Sequence, residues 1–221
     1  MPKVSEEFTN ARREEIIRAC AELYKTRSFK EISIKDIALA TSFTRTSIYN
    51  YFNTKEEIFL ALMQREYELW TADLEALTAE FAELSKAALA KALAHVLEKR
   101  ERLLRLLAMN HFDMEENSHL ENLTEFKRAY GNALKAVRHC LDKFCPEMTE
   151  EGKTGFLYAY FPFLFGIYPY TTVTEKQRTA MEAAGVDFVY HSVYDLACSC
   201  TEKLLRAYSE SPTRGEQDGS A

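Results

Sequence analysis

The sequence SIKDIALATSFTRTSIYNYFNTKEEIF, residues 33–59, predicts two short helices joined by a tight turn and followed by the start of a third helix. Ser33, Thr44 and Thr54 are suitable N-cap residues, because a hydroxyl oxygen can accept a hydrogen bond from the free N–H groups of a first helical turn. An acidic residue follows the first and the last of these caps by three positions, as in a capping box. The helix boundaries are therefore encoded locally.

The second of these helices is predicted to have one apolar and one polar face. Ile48 and Phe52 lie four positions apart, so they share a face and should point together into the core. At about 100° per residue, the opposite face belongs to Thr46 and Asn50. The pattern therefore predicts that Ile48 and Phe52 are buried and that Thr46 and Asn50 are exposed.

The predicted outward face carries groups that pair with nucleotides. The amide of Asn50 can form two hydrogen bonds with adenine, and Arg45 can reach guanine. Lys55 lies in the first turn of the third helix, where it can meet a phosphate together with the free N–H groups. A merely solvated helix face is the simpler interpretation, but such a face usually carries Lys and Glu. Because a helix-turn-helix presents its second helix to the major groove of DNA, we favour DNA binding.

The first 60 or so residues resemble the DNA-binding domain of the TetR family of transcriptional regulators. The resemblance is carried by IYNYF at residues 48–52, which matches the aromatic end of the family's second short helix, and by KEEI at residues 55–58. It implies DNA contacts from these two elements and their caps, with Tyr49 and Lys55 on phosphates. The implied DNA-binding residues are Ser33, Lys35, Thr44, Arg45, Thr46, Ser47, Tyr49, Asn50, Tyr51 and Lys55.

Two positions depart from the family's pattern. Ser42 stands where the turn usually has glycine, and Thr46 stands where the second helix often has glycine. The first departure is expected to strain the turn slightly. The second alters which base edge is contacted, so no operator sequence can be copied from relatives.

The composition predicts an all-α protein, because a chain of 221 residues with 7 Gly, 5 Pro and no sustained alternating runs favours helices over strands. We expect a helix-turn-helix DNA-binding domain at residues 1–54, a helical ligand-binding and dimerisation domain at 55–208, and a disordered tail at 209–221. The predicted helices outside the turn region lie at about 9–26, from Lys55 to about Phe81, and at about 85–110, 118–144, 149–169, 174–184 and 186–209.

The charge is divided unevenly along the chain. The formal net charge is −6, but residues 1–55 carry 10 Lys and Arg against 7 Asp and Glu, which leaves 18 against 27 for the rest. A basic head on an acidic body steers the head toward phosphate and keeps the body away from it.

Membrane insertion and secretion are not expected, because no apolar run could span a bilayer and the N-terminus is too polar for a signal peptide. We therefore predict a cytoplasmic protein. Five scattered cysteines are expected to be reduced thiols in packing positions, with redox sensing as a minor alternative.

Residues 156–170, FLYAYFPFLFGIYPY, hold eight of the 27 aromatic side chains. Pro162 cannot donate to the carbonyl of Tyr158, so a helix here is expected to kink, and apolar walls beside a break favour a pocket for a mostly hydrophobic ligand. Ordinary core packing is the simpler interpretation for most of these residues. The candidate ligand-binding residues are Trp70, His111, Phe112, Tyr158, Phe161, Phe165 and Tyr168.

The last predicted helix has an apolar stripe at steps of three and four residues, which fits either the core or a subunit interface. The family resemblance favours an interface, since relatives dimerise through their last two long helices. The candidate interface residues are Val189, Val193, Leu196, Cys200 and Leu204.

Together the patterns and the resemblance predict a homodimeric regulator, a repressor that binds a palindromic DNA operator and is released by a small effector of unknown identity. A helical enzyme is an alternative, but the chain has no nucleophile elbow, phosphate loop or metal spacing, so no catalytic residue, cofactor or metal site is expected. His111 and Asp113 are two residues apart and split across a helix, and His119 fits a solvated connector. A further alternative is an adaptor whose head binds protein.

Overall fold

The computed structural model describes residues 6–109 and 111–209, without the side chains of Glu6, His111, Phe112 and Asp113. Every regular element in these two stretches is helical, which confirms the predicted all-α class. The predicted disordered tail from residue 210 onward lies outside the described residues. The helices are α1 (Glu6–Tyr24), a short 3-10 helix (Phe29–Glu31), α2 (Ile34–Leu39), α3 (Arg45–Ile48), α4 (Lys55–Glu80), α5 (Lys86–Glu98), α6 (Glu101–Leu107), α7 (His111–Glu116), α8 (Leu120–Phe144), α9 (Glu150–Thr171), α10 (Glu175–Ala183) and α11 (Val193–Ser209).

The chain folds into two compact units. The first contains the residues up to Leu69 together with Arg105–Ala133, and the second contains Trp70–Leu104 together with the residues from Leu134 onward. The helix-turn-helix lies in the first unit, while α5, α9 and α11 lie in the second. The boundary expected between residues 54 and 55 stays a prediction.

The caps predicted for the first unit are present. Ser33 Oγ accepts from the N–H of Asp36, and the Asp36 carboxylate accepts from the N–H of Ser33 at 2.9 Å, which completes a capping box. Thr44 Oγ1 accepts from the N–H of Ser47 at 3.2 Å at the start of α3. Thr54 Oγ1 accepts from the N–H of Glu57 at 3.1 Å at the start of α4. Local capping chemistry therefore sets these three helix starts.

Two predicted helix boundaries in the second unit are wrong. The stretch expected to be one helix at 85–110 divides into α5 and α6 around Arg100, whose Nε donates to the Asp73 carboxylate at 2.8 Å. α9 continues through Pro162 and Pro169 to Thr171 instead of breaking at the prolines. Helix α9 keeps its register because the lost proline N–H bonds are only two within a long helix.

The last helix also begins later than predicted. Gly185 has a φ of +65°, a conformation that ends α10, and residues 186–192 are not helical. α11 begins at Val193 after a Ser192 cap, whose Oγ accepts from the N–H of Asp195 at 3.0 Å. Val189 therefore precedes the helix and is 66% exposed, so it is not part of an α11 stripe.

α11 packs against α5 and α9 in the second unit and buries Ala197, Thr201 and Leu205. The approach to α9 is close at Gly152. A Cβ atom added there would lie 2.5 Å from the backbone oxygen of Tyr208, a distance that side chains do not tolerate without movement of the backbone.

Replacing Gly152 with alanine is expected to lower the free energy of unfolding by about 2 kcal/mol, because the end of α11 must shift. Chemical denaturation measures the change. Gly131, in α8, is the control, because a Cβ atom there meets nothing within 4 Å. Gly131→Ala should keep or raise stability, since alanine is preferred inside helices. Equal losses in the two variants would contradict the close contact.

Candidate DNA-binding surface

The helix-turn-helix buries one side of α3 and exposes the other. Ile48 and Phe52 are each 0% exposed, while Thr46 and Asn50 are exposed. The α-helix proper ends at Ile48, and hydrogen-bonded turns carry the chain to Phe52, whose N–H donates to the oxygen of Ile48 at 3.0 Å. The predicted burial pattern is confirmed, so the polar side chains of this segment face solvent.

The other predicted DNA-binding side chains also lie on or near this surface. Tyr49 is 40% exposed, and its hydroxyl accepts from the Arg45 guanidinium at 3.4 Å. The guanidinium carbon lies 6.0 Å from the Tyr49 ring centroid, so the two side chains form one exposed group. Lys35, on α2, is exposed as well. Ser33 and Thr44 are exposed and serve as caps, while Ser47, Tyr51 and Lys55 are half-buried.

Lys55 is held within the first unit. Its Nζ donates to the backbone oxygen of Phe29 at 2.8 Å and lies 3.9 Å from the centre of the Phe29 ring. This lysine therefore joins the start of α4 to the 3-10 helix, a structural role that the sequence did not indicate. Its predicted phosphate contact stays a prediction.

Ser42 ties the turn to α1. Its backbone N–H donates to the Glu15 carboxylate at 2.8 Å, and its hydroxyl accepts from the Arg12 guanidinium at 2.9 Å. The bond from the Ser42 N–H is the main reason why the pKa of Glu15 lies below its ordinary value. The serine that replaces the expected glycine therefore anchors the turn that positions α3.

A buried carboxylate fastens the start of α4. The Glu57 side chain is fully buried and accepts from the N–H of Asn53 at 2.7 Å. It also accepts from the N–H of His119 at 3.1 Å and from His119 Nδ1 at 2.5 Å. Burial alone would raise the pKa of Glu57, but the hydrogen bonds from His119 and Asn53 outweigh it and lower the pKa.

A second bond lies beside this carboxylate, because Thr54 Oγ1 donates to the backbone oxygen of Asn117 at 3.1 Å. We call these bonds from Asn53, Thr54 and Glu57 to residues 117 and 119 the α4 clamp. His119 is exposed, as a connector should be, but it is also a partner of the clamp. Sequence reasoning missed this because the bonded residues are 62 positions apart.

The candidate ligand residues do not come together as one group. Trp70 and Phe161 are buried with ring centroids 5.8 Å apart, and Phe165 and Tyr168 are half-buried on α9. Tyr158 is 80% exposed, so it is a surface residue of α9 instead of a wall beside Phe161. The predicted side-chain roles of His111 and Phe112 lie outside the described residues.

Burial also distinguishes the cysteines. Cys20, Cys140 and Cys145 are buried, as packing positions should be, and burial raises the pKa of Cys140 to about 12. Cys198 and Cys200 are half-buried on α11. In the described stretches, no group of three or more His, Cys, Asp or Glu side chains is arranged to hold a metal ion. Among the same residues, no helix combines the length and apolar character of a membrane-spanning segment.

The head has the architecture of a helix-turn-helix DNA-binding protein, and comparisons with known proteins identify its family. Residues 16–62 match the model described as bacterial regulatory proteins, tetR family. Residues 64–190, more than half of the chain, match the model described as tetracyclin repressor-like, C-terminal domain. The chain belongs to the TetR family of transcriptional regulators, which are DNA-binding proteins and not enzymes.

Individual relatives agree with this assignment. The HTH-type transcriptional regulator YfiR of Bacillus subtilis (strain 168), described as uncharacterized, is 32% identical over 63 residues, which are 28% of this chain and 31% of that relative. A TetR/AcrR-family regulator from Thermobifida fusca is 20% identical, with a TM-score of 0.58 over 90% of this chain and 98% of the other. Thermus thermophilus FadR, a TetR-family repressor in complex with lauroyl-CoA, is 20% identical, with a TM-score of 0.55 over 95% and 99%. The two structural likenesses show the fold.

Proposed function

We propose that this regulator is a repressor that binds a palindromic operator as a homodimer and is released by a small, mostly hydrophobic effector. The observation that carries the proposal is the exposed polar face of α3 above fully buried Ile48 and Phe52. Its amide, hydroxyl and guanidinium groups are the kinds that contact base edges and phosphates. Action on chromosomal DNA would place the protein in the cytoplasm.

The contacts with DNA are proposed residue by residue. Asn50 and Arg45 are proposed to contact base edges, because an amide and a guanidinium can each form paired hydrogen bonds there. Tyr49 and Lys55 are proposed to contact phosphates, and such contacts make binding depend on salt concentration. The supporting contacts are proposed to come from Ser33, Lys35, Thr44, Thr46, Ser47 and Tyr51.

The proposed dimer contact uses the outer side of α9. Tyr158, Pro162, Gly166 and Pro169 are exposed at steps of four, four and three residues, so they share one helix face. Tyr170, beside this face, is 61% exposed. An apolar face of this kind on a soluble domain is typical of an interface. The half-buried residues of α11, which packs beside α9, extend the proposed interface: Val193, Leu196, Cys200 and Leu204.

Two-fold symmetry would match the dimer to its operator. A single α3 covers only a few base pairs, whereas two copies in a symmetric dimer contact two half-sites one helical turn of DNA apart. This is the reason for expecting a palindrome.

Effector release is proposed to act through α4. This helix runs without interruption from Lys55, beside the DNA-binding surface, to Glu80 in the second unit. A ligand that binds more tightly to the state with unsuitable head spacing would shift the population away from DNA, with a coupling of about 1–3 kcal/mol. The lauroyl-CoA bound to the Thermus repressor supports a mostly hydrophobic effector.

Selection of duplexes from a random pool tests the proposal. The full chain, incubated with the pool at moderate salt, is expected to enrich one inverted repeat whose half-sites lie about one helical turn apart. A scrambled duplex of the same length is the control and should bind more weakly and with stronger dependence on salt. Enrichment of a site without symmetry would contradict the dimer, and no enrichment at all would contradict operator binding.

A further inference from the structure

An open groove of about 470 Å³ lies between the last turns of α4 and the exposed side of α5 in the second unit. Its walls include Leu77 and Val96, which are almost fully buried, and three alanines whose methyl groups leave the space unfilled: Ala76, Ala88 and Ala92. A volume of about 300–1,000 Å³ with mostly apolar walls is typical of small-molecule sites. The groove is therefore large enough for a small ligand.

The two helices run in opposite directions, which gives the groove two distinct ends. Arg100, just after α5, pairs with Asp73 on α4, with its Nε 2.8 Å from the carboxylate. At the other end, the short connection between α4 and α5 brings Phe81 and Leu84 to the groove. One end is therefore charged, and the other carries the largest apolar side chains.

The charges along the α5 edge favour an anion. Lys91, His95 and Lys99 line the groove at steps of four residues, so they stand in one row along the helix. Within the described residues, neither Lys91 nor Lys99 forms an ion pair. The Asp73 carboxylate is already neutralised by Arg100, and the other acid in the lining, Glu80, lies at the Phe81 end. An anionic head group would thus meet uncompensated positive charge beside Lys99.

We propose that this groove binds a single-chain amphipathic anion, with its carboxylate between Lys99 and His95 and its chain along Ala92 toward Phe81. The apolar floor disfavours a bare phosphate or a nucleic acid, which would leave that surface unpaired, and the volume is too small for a helix of another protein. Occupation would press on α4, so the effect on DNA rests on the proposed function, whereas binding itself does not.

Titration of the full chain with decanoate tests the proposal. Trp70 is the single tryptophan of the sequence and lies on α4 one turn before Asp73, so its fluorescence reports on this part of the helix. We expect saturable binding of one decanoate per chain, with the same affinity by calorimetry. Decanol, which has the chain without the charge, should bind about tenfold more weakly. Equal affinity for decanol and decanoate would overturn the assignment of the charged end.

Two pairs of variants locate the site. Ala92→Phe should reduce decanoate affinity at least about tenfold by filling the groove, whereas Ala87→Phe, at an exposed position of α5 outside the lining, should not. The double variant Lys91→Gln/Lys99→Gln should weaken decanoate about tenfold and leave decanol unchanged. A double variant of two exposed lysines away from the groove is its charge-matched control: Lys135→Gln/Lys203→Gln. Unchanged decanoate affinity in Ala92→Phe and in Lys91→Gln/Lys99→Gln would overturn the proposal.

The outcomes for the groove and for DNA are separable. Duplex binding is measured on the same preparations, with and without decanoate. A protein that binds its selected duplex but not decanoate would overturn the groove assignment alone. A protein that binds decanoate in the groove but no duplex would support the site and overturn the proposed function.

Discussion

Replacing Glu57 with alanine is expected to lower the free energy of unfolding by about 3 kcal/mol, because three buried hydrogen bonds lose their acceptor. The N–H groups of Asn53 and His119 would be left without a partner in the α4 clamp. Urea denaturation followed by circular dichroism measures the change. Because the clamp holds the start of α4 directly after the α3 segment, affinity for the selected duplex should fall as well.

Glu56→Ala is the matched control for this variant. Glu56 has the same charge and lies in the same first turn of α4, but it is only half-buried. Its replacement removes the favourable charge at the helix N-terminus and should cost no more than about 1 kcal/mol. Similar losses in the two variants would contradict a specific role for the Glu57 bonds.

The same carboxylate gives a pH dependence of defined sign. Because the pKa of Glu57 is lowered in the folded protein, its ionised form stabilises the fold above the ordinary value of 4.5, and this contribution is lost as the pH falls through the folded-state pKa. The difference in unfolding free energy between the wild type and Glu57→Gln should therefore be largest above about pH 5 and shrink toward about pH 3. A difference that is independent of pH would contradict the lowered pKa.

Replacing Asn50 with alanine is expected to reduce the preference for the selected duplex over a scrambled one by about tenfold per half-site. The effect should be roughly squared in a symmetric dimer, because both copies lose the same contact. Binding to the scrambled duplex should change little, since phosphate contacts supply that affinity. Fluorescence anisotropy with both duplexes, at several salt concentrations, measures the two affinities.

Asn132→Ala provides the control for this variant, because Asn132 is an exposed asparagine on α8. It should leave both affinities at the wild-type values. An equal loss on the selected and the scrambled duplex in Asn50→Ala would show that Asn50 contributes to binding without contacting base edges.

The parts of the fold that the sequence predicted are those set by neighbouring residues. Ser33, Thr44 and Thr54 begin their helices because each bonds an N–H two or three positions ahead. The burial of Ile48 and Phe52 follows from a spacing of one helical turn. These interactions are local, so composition and spacing were sufficient.

The start of α11 shows where periodicity misleads. The apolar spacing from Val186 to Val193 continues that of the helix, so it concealed the boundary, although the Ser192 and Asp195 capping box was a usable signal. The break between α5 and α6 has no glycine or proline, and it lies beside the bond from Arg100 to Asp73. Such a contact joins residues 27 positions apart, which no local pattern encodes.

The α4 clamp and the α4–α5 groove were missed for the same reason. Glu57 fits an ordinary first-turn acid, and only the folded chain brings His119 to it. Ala88 and Ala92 fit an ordinary helix, and only the packing of α4 beside α5 turns their small size into a cavity. Both features depend on the tertiary arrangement.

Photo-crosslinking tests most directly the central claim, that the exposed face of α3 meets DNA. Tyr49 and Tyr158 are both exposed tyrosines, one on the α3 segment and one on α9. Each is replaced in turn by p-azidophenylalanine, and the protein is irradiated with the selected duplex. We predict a crosslink from position 49 that an excess of unlabelled selected duplex abolishes, and none from position 158. A crosslink from position 158 without one from position 49 would contradict the claim.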